Sequence, residues 1–287
     1  MACIYLVWGS TYLAIRVSVR TIPPLMGCGV RFLAAGLVLF GVLGAVGRLR
    51  PFPPPTELLG ATVVGCWLLA GAVGLITVCE QHIPSNIAAV IASTAAIWVV
   101  IYRRLSGERV PPVALAAVLA GFAGVAVLLA PSVGGGGLPL GWLAVCLVVP
   151  FNWSSGSFYG AKMYRLPGDA FVASAIEMTA AGLLLLSLSL VAGERLGSFS
   201  AASAAAVIYL MFASLIAFSA YVWLLGKLPI STVVTHQYVN PVVAVILGAA
   251  LLSEPVTWSV VVGAGLIIGA VVMIVRDQNP GVGGDQR

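Results

Sequence analysis

Ten apolar runs of membrane-spanning length leave this chain few ways to fold. They cover residues 2–19, 25–46, 58–78, 86–102, 112–130, 138–159, 169–192, 200–225, 231–252 and 256–275. A helix needs about 20 apolar residues to cross a hydrocarbon core of roughly 30 Å. Of the 287 residues, 61% are hydrophobic and 8% charged, against about 25% charged in ordinary soluble domains. A water-soluble globule of this length could not hide so much apolar surface, which excludes a cytosolic enzyme, a secreted domain and a disordered chain. Barrel strands alternate in polarity over about ten residues, whereas these runs are continuous. The expected fold class is therefore an all-α polytopic membrane protein with ten transmembrane helices. The first run lacks a basic n-region and a cleavage site of small residues, so it reads as a retained helix.

The gaps carry helix punctuation and charge. Arg48 to Pro55 is a basic, proline-rich turn, and Pro84, Pro111-Pro112, Pro229 and Pro255 stand where helices should begin. Arg48, Arg50, Arg103, Arg104, Arg109, Lys162, Arg165 and Lys227 share one set of loops, with Arg276 and Arg287 in the tail. The other set holds only Arg20 and Arg195, with Arg16 near the end of the first helix. This asymmetry places both termini in the cytoplasm. The net charge of +5 is thus spent on orientation, and no nucleic-acid partner is expected; the partners are a small-molecule substrate and the lipid bilayer. Cys3, Cys28, Cys66, Cys79 and Cys146 all lie in apolar stretches without a CxxC pair. They read as small hydrophobes, and neither a metal nor a cofactor is expected.

Laid over each other, the two halves match. Trp8 and Ser10 fall on Trp153 and Ser155, Arg20 on Arg165, Ala34-Ala35-Gly36-Leu37 on Ala180-Ala181-Gly182-Leu183, Pro84 on Pro229, and Glu108 on Glu254 with a one-residue slip. Ala120xxxGly124 becomes Gly265xxxGly269, a small-xxx-small spacing that lets membrane helices approach closely. The expected division is a first five-helix repeat at 1–131, a Gly-rich linker at 132–137, a second repeat at 138–276 and a cytoplasmic tail at 277–287. Five is odd, so the second copy crosses the membrane in the opposite sense. In keeping with that, the basic residues around Glu108 are absent around Glu254. Inverted repeats are a hallmark of secondary transporters working by alternating access. A passive channel built on the same plan is the alternative.

Local strings sharpen this reading. Trp8-Gly9-Ser10-Thr11-Tyr12, Pro23-Pro24 followed by Arg31-Phe32, Glu80-Gln81 with Pro84-Ser85, Gly107-Glu108-Arg109, Asn240-Pro241 and Ser253-Glu254-Pro255 occur in order along the whole chain. In this order and spacing the sequence resembles the EamA family of the drug/metabolite transporter superfamily. The resemblance implies an inner-membrane carrier that exports small metabolites, amino acid-like compounds or drugs without an ATPase domain. Two departures stand out. Family members usually carry a proline midway along helix 4, matching Pro241 in helix 9; Ser93-Thr94-Ala95-Ala96 stands there instead, so helix 4 is expected to keep its full hydrogen bonding. Trp8 also lies much closer to the start of its helix than Trp153, so either helix 1 begins shallowly or translation starts upstream.

Ionisable groups inside a bilayer are costly and default to functional candidates. Arg31 in helix 2 and Glu177 in helix 7 occupy nearly equivalent repeat positions. Glu80, at the end of helix 3, is at a depth where an ion pair with Arg31 is expected, structural or substrate-binding; Glu177 is expected to snorkel towards the surface or to couple protons. In helix 9, Thr232, His236 and Asn240 form one polar stripe, while their mates Ile87, Ile91 and Ala95 are apolar. Trp8 and Tyr12 in helix 1, and Asn152 and Trp153 in helix 6, complete the candidate substrate-binding set, in keeping with cavities lined by aromatics and a few polar groups. Helix 1 has no carboxylate to couple protons. The rival reading is an intramembrane serine hydrolase built from Ser154, Ser155 or Ser157 with His236; HExxH and paired membrane aspartates are absent, and no catalytic residue is assigned.

Overall fold

The computed structural model describes residues 2–133, 138–225 and 236–277, and their regular structure is entirely helical. In chain order the helices are α1 Ala2–Ser18, α2 Pro24–Ala45, α3 Pro55–Cys79, α4 Ser85–Leu105, α5 Pro112–Val133, α6 Leu140–Met163, α7 Ala170–Val191, α8 Ala201–Leu225, α9 His236–Leu252 and α10 Trp258–Asp277. Their extents follow the ten apolar runs closely. By length and composition α2, α3, α4, α5 and α7 are each able to cross a membrane. Their outward faces are apolar, as with Leu183, Leu188 and Leu190 on α7 and Leu119 on α5, which suits hydrocarbon and not water.

Proline starts several helices, Pro84 and Pro112 among them as the sequence predicts, because its fixed φ suits the first turn and its missing N–H is not needed there. Pro229 lies outside the described residues, and α10 begins at Trp258, three residues after Pro255. Pro24 and Pro55 occupy first-turn positions, and Pro84 and Pro139 precede α4 and α6. Proline has no side chain to cap the exposed N–H groups, and distant glutamates supply that acceptor. Glu194, after α7, accepts from the backbone of Leu25 (3.2 Å) and Met26 (2.8 Å) at the start of α2. Glu254, after α9, accepts from Ser85 N (2.7 Å), Ser85 Oγ (3.0 Å) and Asn86 N (3.0 Å) at the start of α4. A carboxylate at a helix N-terminus gains from both the free donors and the dipole, so each glutamate ties two helices together.

The α2–α7 crossing organises the bundle. A Cβ added at Gly36 would lie 2.8 Å from the Thr179 backbone nitrogen, and one at Gly182 would lie 2.8 Å from the Leu33 Cα. Gly36 and Gly182 align in the sequence comparison, and in the same register Leu33 aligns with Thr179, so each helix receives the other in the same way. The ends match too. Arg48, after α2, pairs with Asp169 (2.7 Å), which caps the start of α7, while its aligned residue Glu194 caps the start of α2. The two helices therefore run antiparallel. A second close crossing joins α5 to α10, where a Cβ at Gly124 or at Gly263 would each lie 2.9 Å from the other glycine's carbonyl oxygen.

Two helices depart from regular α geometry. Within α3, Cys66–Gly74 is a π-helix, which nothing in that uniformly apolar stretch announces. α4 is broken at Thr94 into Ser85–Ser93 and Ala95–Leu105. This corrects the expectation that a proline-free helix 4 keeps its full ladder. The Ser93 and Thr94 hydroxyls donate back to Val90 O and Ile91 O (both 2.7 Å), and Thr94 N closes a tight turn onto Ile91 O (3.1 Å). Such back-bonding competes with the helix ladder and bends it without proline. At the loop after α4, Arg103 donates to Glu108 (2.8 Å), with Lys162 at 3.6 Å, and that hydrogen bond holds the Glu108 carboxyl below the usual carboxylate range. Cys28, Cys66, Cys79 and Cys146 are free thiols.

The crossing makes a direct stability prediction. Gly36→Leu overpacks the α2–α7 contact and should destabilise the bundle by about 1–3 kcal/mol, seen as a lower melting temperature of the solubilised protein. Gly41→Leu adds its side chain to a position with nothing within 4 Å and should melt like the parent. Equal melting of the two variants would contradict the crossing.

Candidate functional site

A cavity of about 170 Å³ opens where α1, α2, α3, α4, α6 and α9 meet. Six sequence candidates line it: Trp8, Tyr12, Arg31, Trp153, His236 and Asn240. Asn152, Glu80 and Glu177 do not, and Thr232 lies outside the described residues.

Gly9 brings α1 onto α9, since a Cβ there would come within 2.6 Å of Val243 Cβ. The Trp8 ring consequently meets His236 edge-on, with centroids 4.6 Å apart and an interplanar angle of 61°. On the neighbouring face Ser10 Oγ bonds the Tyr209 hydroxyl (2.6 Å), holding α1 to α8. Tyr12 follows Trp8 one turn later on the cavity face.

In α6, Trp153 is fixed by its two neighbours. Asn152 Nδ2 donates to Gly71 O (2.9 Å) in the π-helical stretch, and Ser154 Oγ donates to Ala95 O (2.7 Å) just past the α4 break. Asn152, expected in the binding set, is thus a tie between helices. The altered ladder of a π-turn leaves room for a side chain to bond its carbonyl. Ser154 is equally committed, and Ser155 donates to Asn152 O (3.1 Å).

Arg31 is 7% exposed. Its Nε donates to Ser214 Oγ on α8 (3.0 Å), its Cζ stands 4.7 Å from the Phe32 ring centroid, and Nη1 has no hydrogen-bond partner. The expected Arg31–Glu80 ion pair is not formed. Glu80 is fully buried with both carboxylate oxygens unpartnered, and it is Arg16 Nη1 that reaches its backbone carbonyl. The Arg31 side chain is taken up instead by Ser214 on α8. Glu177 is also away from the cavity: its backbone oxygen is the wall against which Gly65 packs, 2.6 Å from where a Cβ would stand, and its carboxylate makes no ion pair among the described residues.

The wall contains residues that sequence reasoning passed over. Leu69, Ala72 and Val73 come from the π-helical stretch, Ser93 and Ala95 from the α4 break, and Pro150 from α6. The Ser93-Thr94 pair was a readable signal for the break; the π-turn had none. Ile91, the repeat mate of His236, is fully buried in the apolar cluster behind the wall, whereas Ala95 reaches the cavity. Among the described residues no three His, Cys, Asp or Glu side chains come together to hold a metal.

The cavity lies among apolar helices of membrane-spanning length, and comparison with known proteins gives the class of the chain. The EamA-like transporter family matches residues 1–130 and 140–276, and this chain belongs to that family of polytopic membrane transporters. It is 38% identical to the inner membrane transporter YedA of Escherichia coli K12, over 94% of this chain and 88% of that protein. A Salmonella typhimurium LT2 protein described as a probable amino-acid metabolite efflux pump is 27% identical, over 92% and 90% of the two chains. A solved crystal structure superposes with a TM-score of 0.66 at 21% identity, covering 94% of both chains, and shares the fold.

The wall assignment can be read chemically. With the five native cysteines replaced, Ala92→Cys, on the wall, should be alkylated by a small methanethiosulfonate far faster than Val90→Cys, which is 0% exposed. Equal rates would contradict the cavity.

Proposed function

We propose that this chain is a secondary transporter that exports a small metabolite, amino acid-like compound or drug across the cytoplasmic membrane by alternating access, with both termini in the cytoplasm. The observation that carries the reading is the cavity itself, walled by α1, α2, α3 and α4 from one half of the chain and by α6 and α9 from the other. Trp8 and Trp153, which align between the halves, both contribute to it. Two inverted five-helix repeats account for the separate family matches to the two halves, the like-for-like α2–α7 crossing and the antiparallel course of those helices. The broken backbone of α4 and Pro241 inside α9 give each half a place to flex beside the cavity. Glu254 closes α9 onto α4 at the outer end, while its counterpart Glu108 is engaged by Arg103 and Lys162. Rocking one half against the other releases the Glu254 clamp and exposes the cavity to the opposite side.

At about 170 Å³ the cavity is smaller than the roughly 300–1,000 Å³ of drug-sized sites, which favours metabolites over bulky drugs. Counterflow in proteoliposomes, starting from the amino-acid metabolites named for the Salmonella relative, tests the reading. His236→Ala or Asn240→Ala should cut exchange by roughly tenfold, the scale of one lost hydrogen bond in a buried site. Val242→Ala, on the outward face of the same helix, should exchange at the parental rate. Parental rates in both cavity variants, or flux without saturation, would overturn the carrier reading.

A further inference from the structure

We infer that closure of the outer end is linked to a proton: Glu80 takes one up from the outside when Glu254 clamps α9 onto α4, and releases it when the clamp opens. This rests on the reading of Glu254 as the outer clamp of an alternating-access carrier, and it adds the ion that controls the clamp.

Glu80 directly follows Cys79, the last residue of α3, and opens the short turn that leads to Ser85 at the start of α4. It is fully buried, and neither carboxylate oxygen has a hydrogen-bond partner. Arg16 Nη1 donates to the Glu80 backbone carbonyl, and no ion pair reaches the carboxylate among the described residues. An ionised carboxylate is strongly disfavoured in a dry site without donors, and the group keeps a proton instead. Glu254 is placed in the opposite way. It accepts from Ser85 N, Ser85 Oγ and Asn86 N, a set of donors that suits the charged form. Its charge acts on Glu80, and two neighbouring carboxylates resist ionising together. One acid is therefore charged as the clamp, and the other is neutral beside it. The remaining titratable or charged groups facing Glu80 are Tyr12 and Arg16 on α1, Arg31 on α2, Cys79 on its own helix and Cys146 on α6. The first segment of α4, Ser85–Ser93, contributes none.

The turn couples the two acids. Ser85 and Asn86, which Glu254 holds, end the same turn that Glu80 begins, and Ile83 between them is fully buried in the apolar cluster. Withdrawal of Glu254 frees this turn and lets water reach Glu80. A wet glutamate is ionised near pH 7, so opening releases a proton and closing takes one up. Closure is then strongest in acid. It weakens by up to about tenfold per pH unit as pH rises above the ordinary carboxylate range, until the closed-state group ionises too. Protonation of Glu254 itself would give the opposite sign, because it would loosen the clamp in acid.

The test is a spin-label distance across the outer end, measured between pH 5 and 8 on the full-length protein in lipid nanodiscs. With the native cysteines replaced, labels go on Gln81→Cys and Val256→Cys, both at exposed positions on either side of the clamp. The short distance of the clamped state should dominate at pH 5, and a longer one should gain by up to about tenfold per unit as pH rises. Glu80→Gln, neutral and of the same shape, should hold the short distance at every pH. Glu80→Met, a second neutral variant of like length, carries the same expectation if Glu80→Gln does not fold. His82→Gln, at an exposed neighbour stacked on Trp142, should keep the parental response. A parental distance that ignores pH, a response of opposite sign, or one that persists in the neutral variants would overturn the inference. Counterflow in proteoliposomes keeps the two readings apart. Saturable exchange with a pH-independent distance removes only the proton link. Absent exchange, with a distance that Glu254→Gln also leaves unchanged, removes the clamp, the carrier reading and the proton link together.

Discussion

Hydrocarbon offers no hydrogen bonds, so each backbone group in this bundle must find its partner inside the protein. Most find it in the helix ladder. The prolines that start α2 and α4 cannot cap those helices, and Glu194 and Glu254 do so from the far ends of α7 and α9. The same constraint decides where the ladder may be broken. The π-turn in α3, the break at Thr94 in α4, Pro150 in α6 and Pro241 in α9 all border the cavity. Irregular backbone at membrane depth is tolerated only against protein or a water-filled space, and here it is gathered around the cavity.

Each irregularity is also secured from a neighbouring helix. Asn152 bonds the carbonyl of Gly71 and Ser154 that of Ala95, so α6 holds both α3 and α4 while presenting Trp153 between them. Close glycine contacts do the same elsewhere: Gly9 seats α1 on α9, and Gly36 with Gly182 lock α2 to α7. The ties leave two buried polar atoms of cavity residues, Arg31 Nη1 and Asn240 Oδ1, without hydrogen-bond partners.

Much of this was legible in the residues. Hydropathy located the helices because lipid-facing surfaces must be apolar, and the helix 9 stripe pointed to His236 and Asn240 because polar groups at that depth need a reason. The sequence misses the side-chain directions of Arg31 and Asn152. The sequence pairs Arg31 with Glu80, yet the guanidinium bonds Ser214 on α8. Asn152 was placed in the site as a polar group at the right level, and it serves as a helix tie. The π-turn in Cys66–Gly74 left no trace, since its residues are as apolar as any regular span; the α4 break was carried by Ser93 and Thr94, whose hydroxyls replaced the expected proline.

The central claim is that the irregular backbone borders a wet cavity, and hydrogen–deuterium exchange of the protein in lipid nanodiscs tests it most directly. Amides of Cys66–Gly74 and of the turn at Thr94 should exchange well ahead of those at the α2–α7 crossing around Gly36 and Gly182. Protection of those segments equal to the crossing would mean that no water reaches them, and the account of a cavity built from broken helices would be wrong.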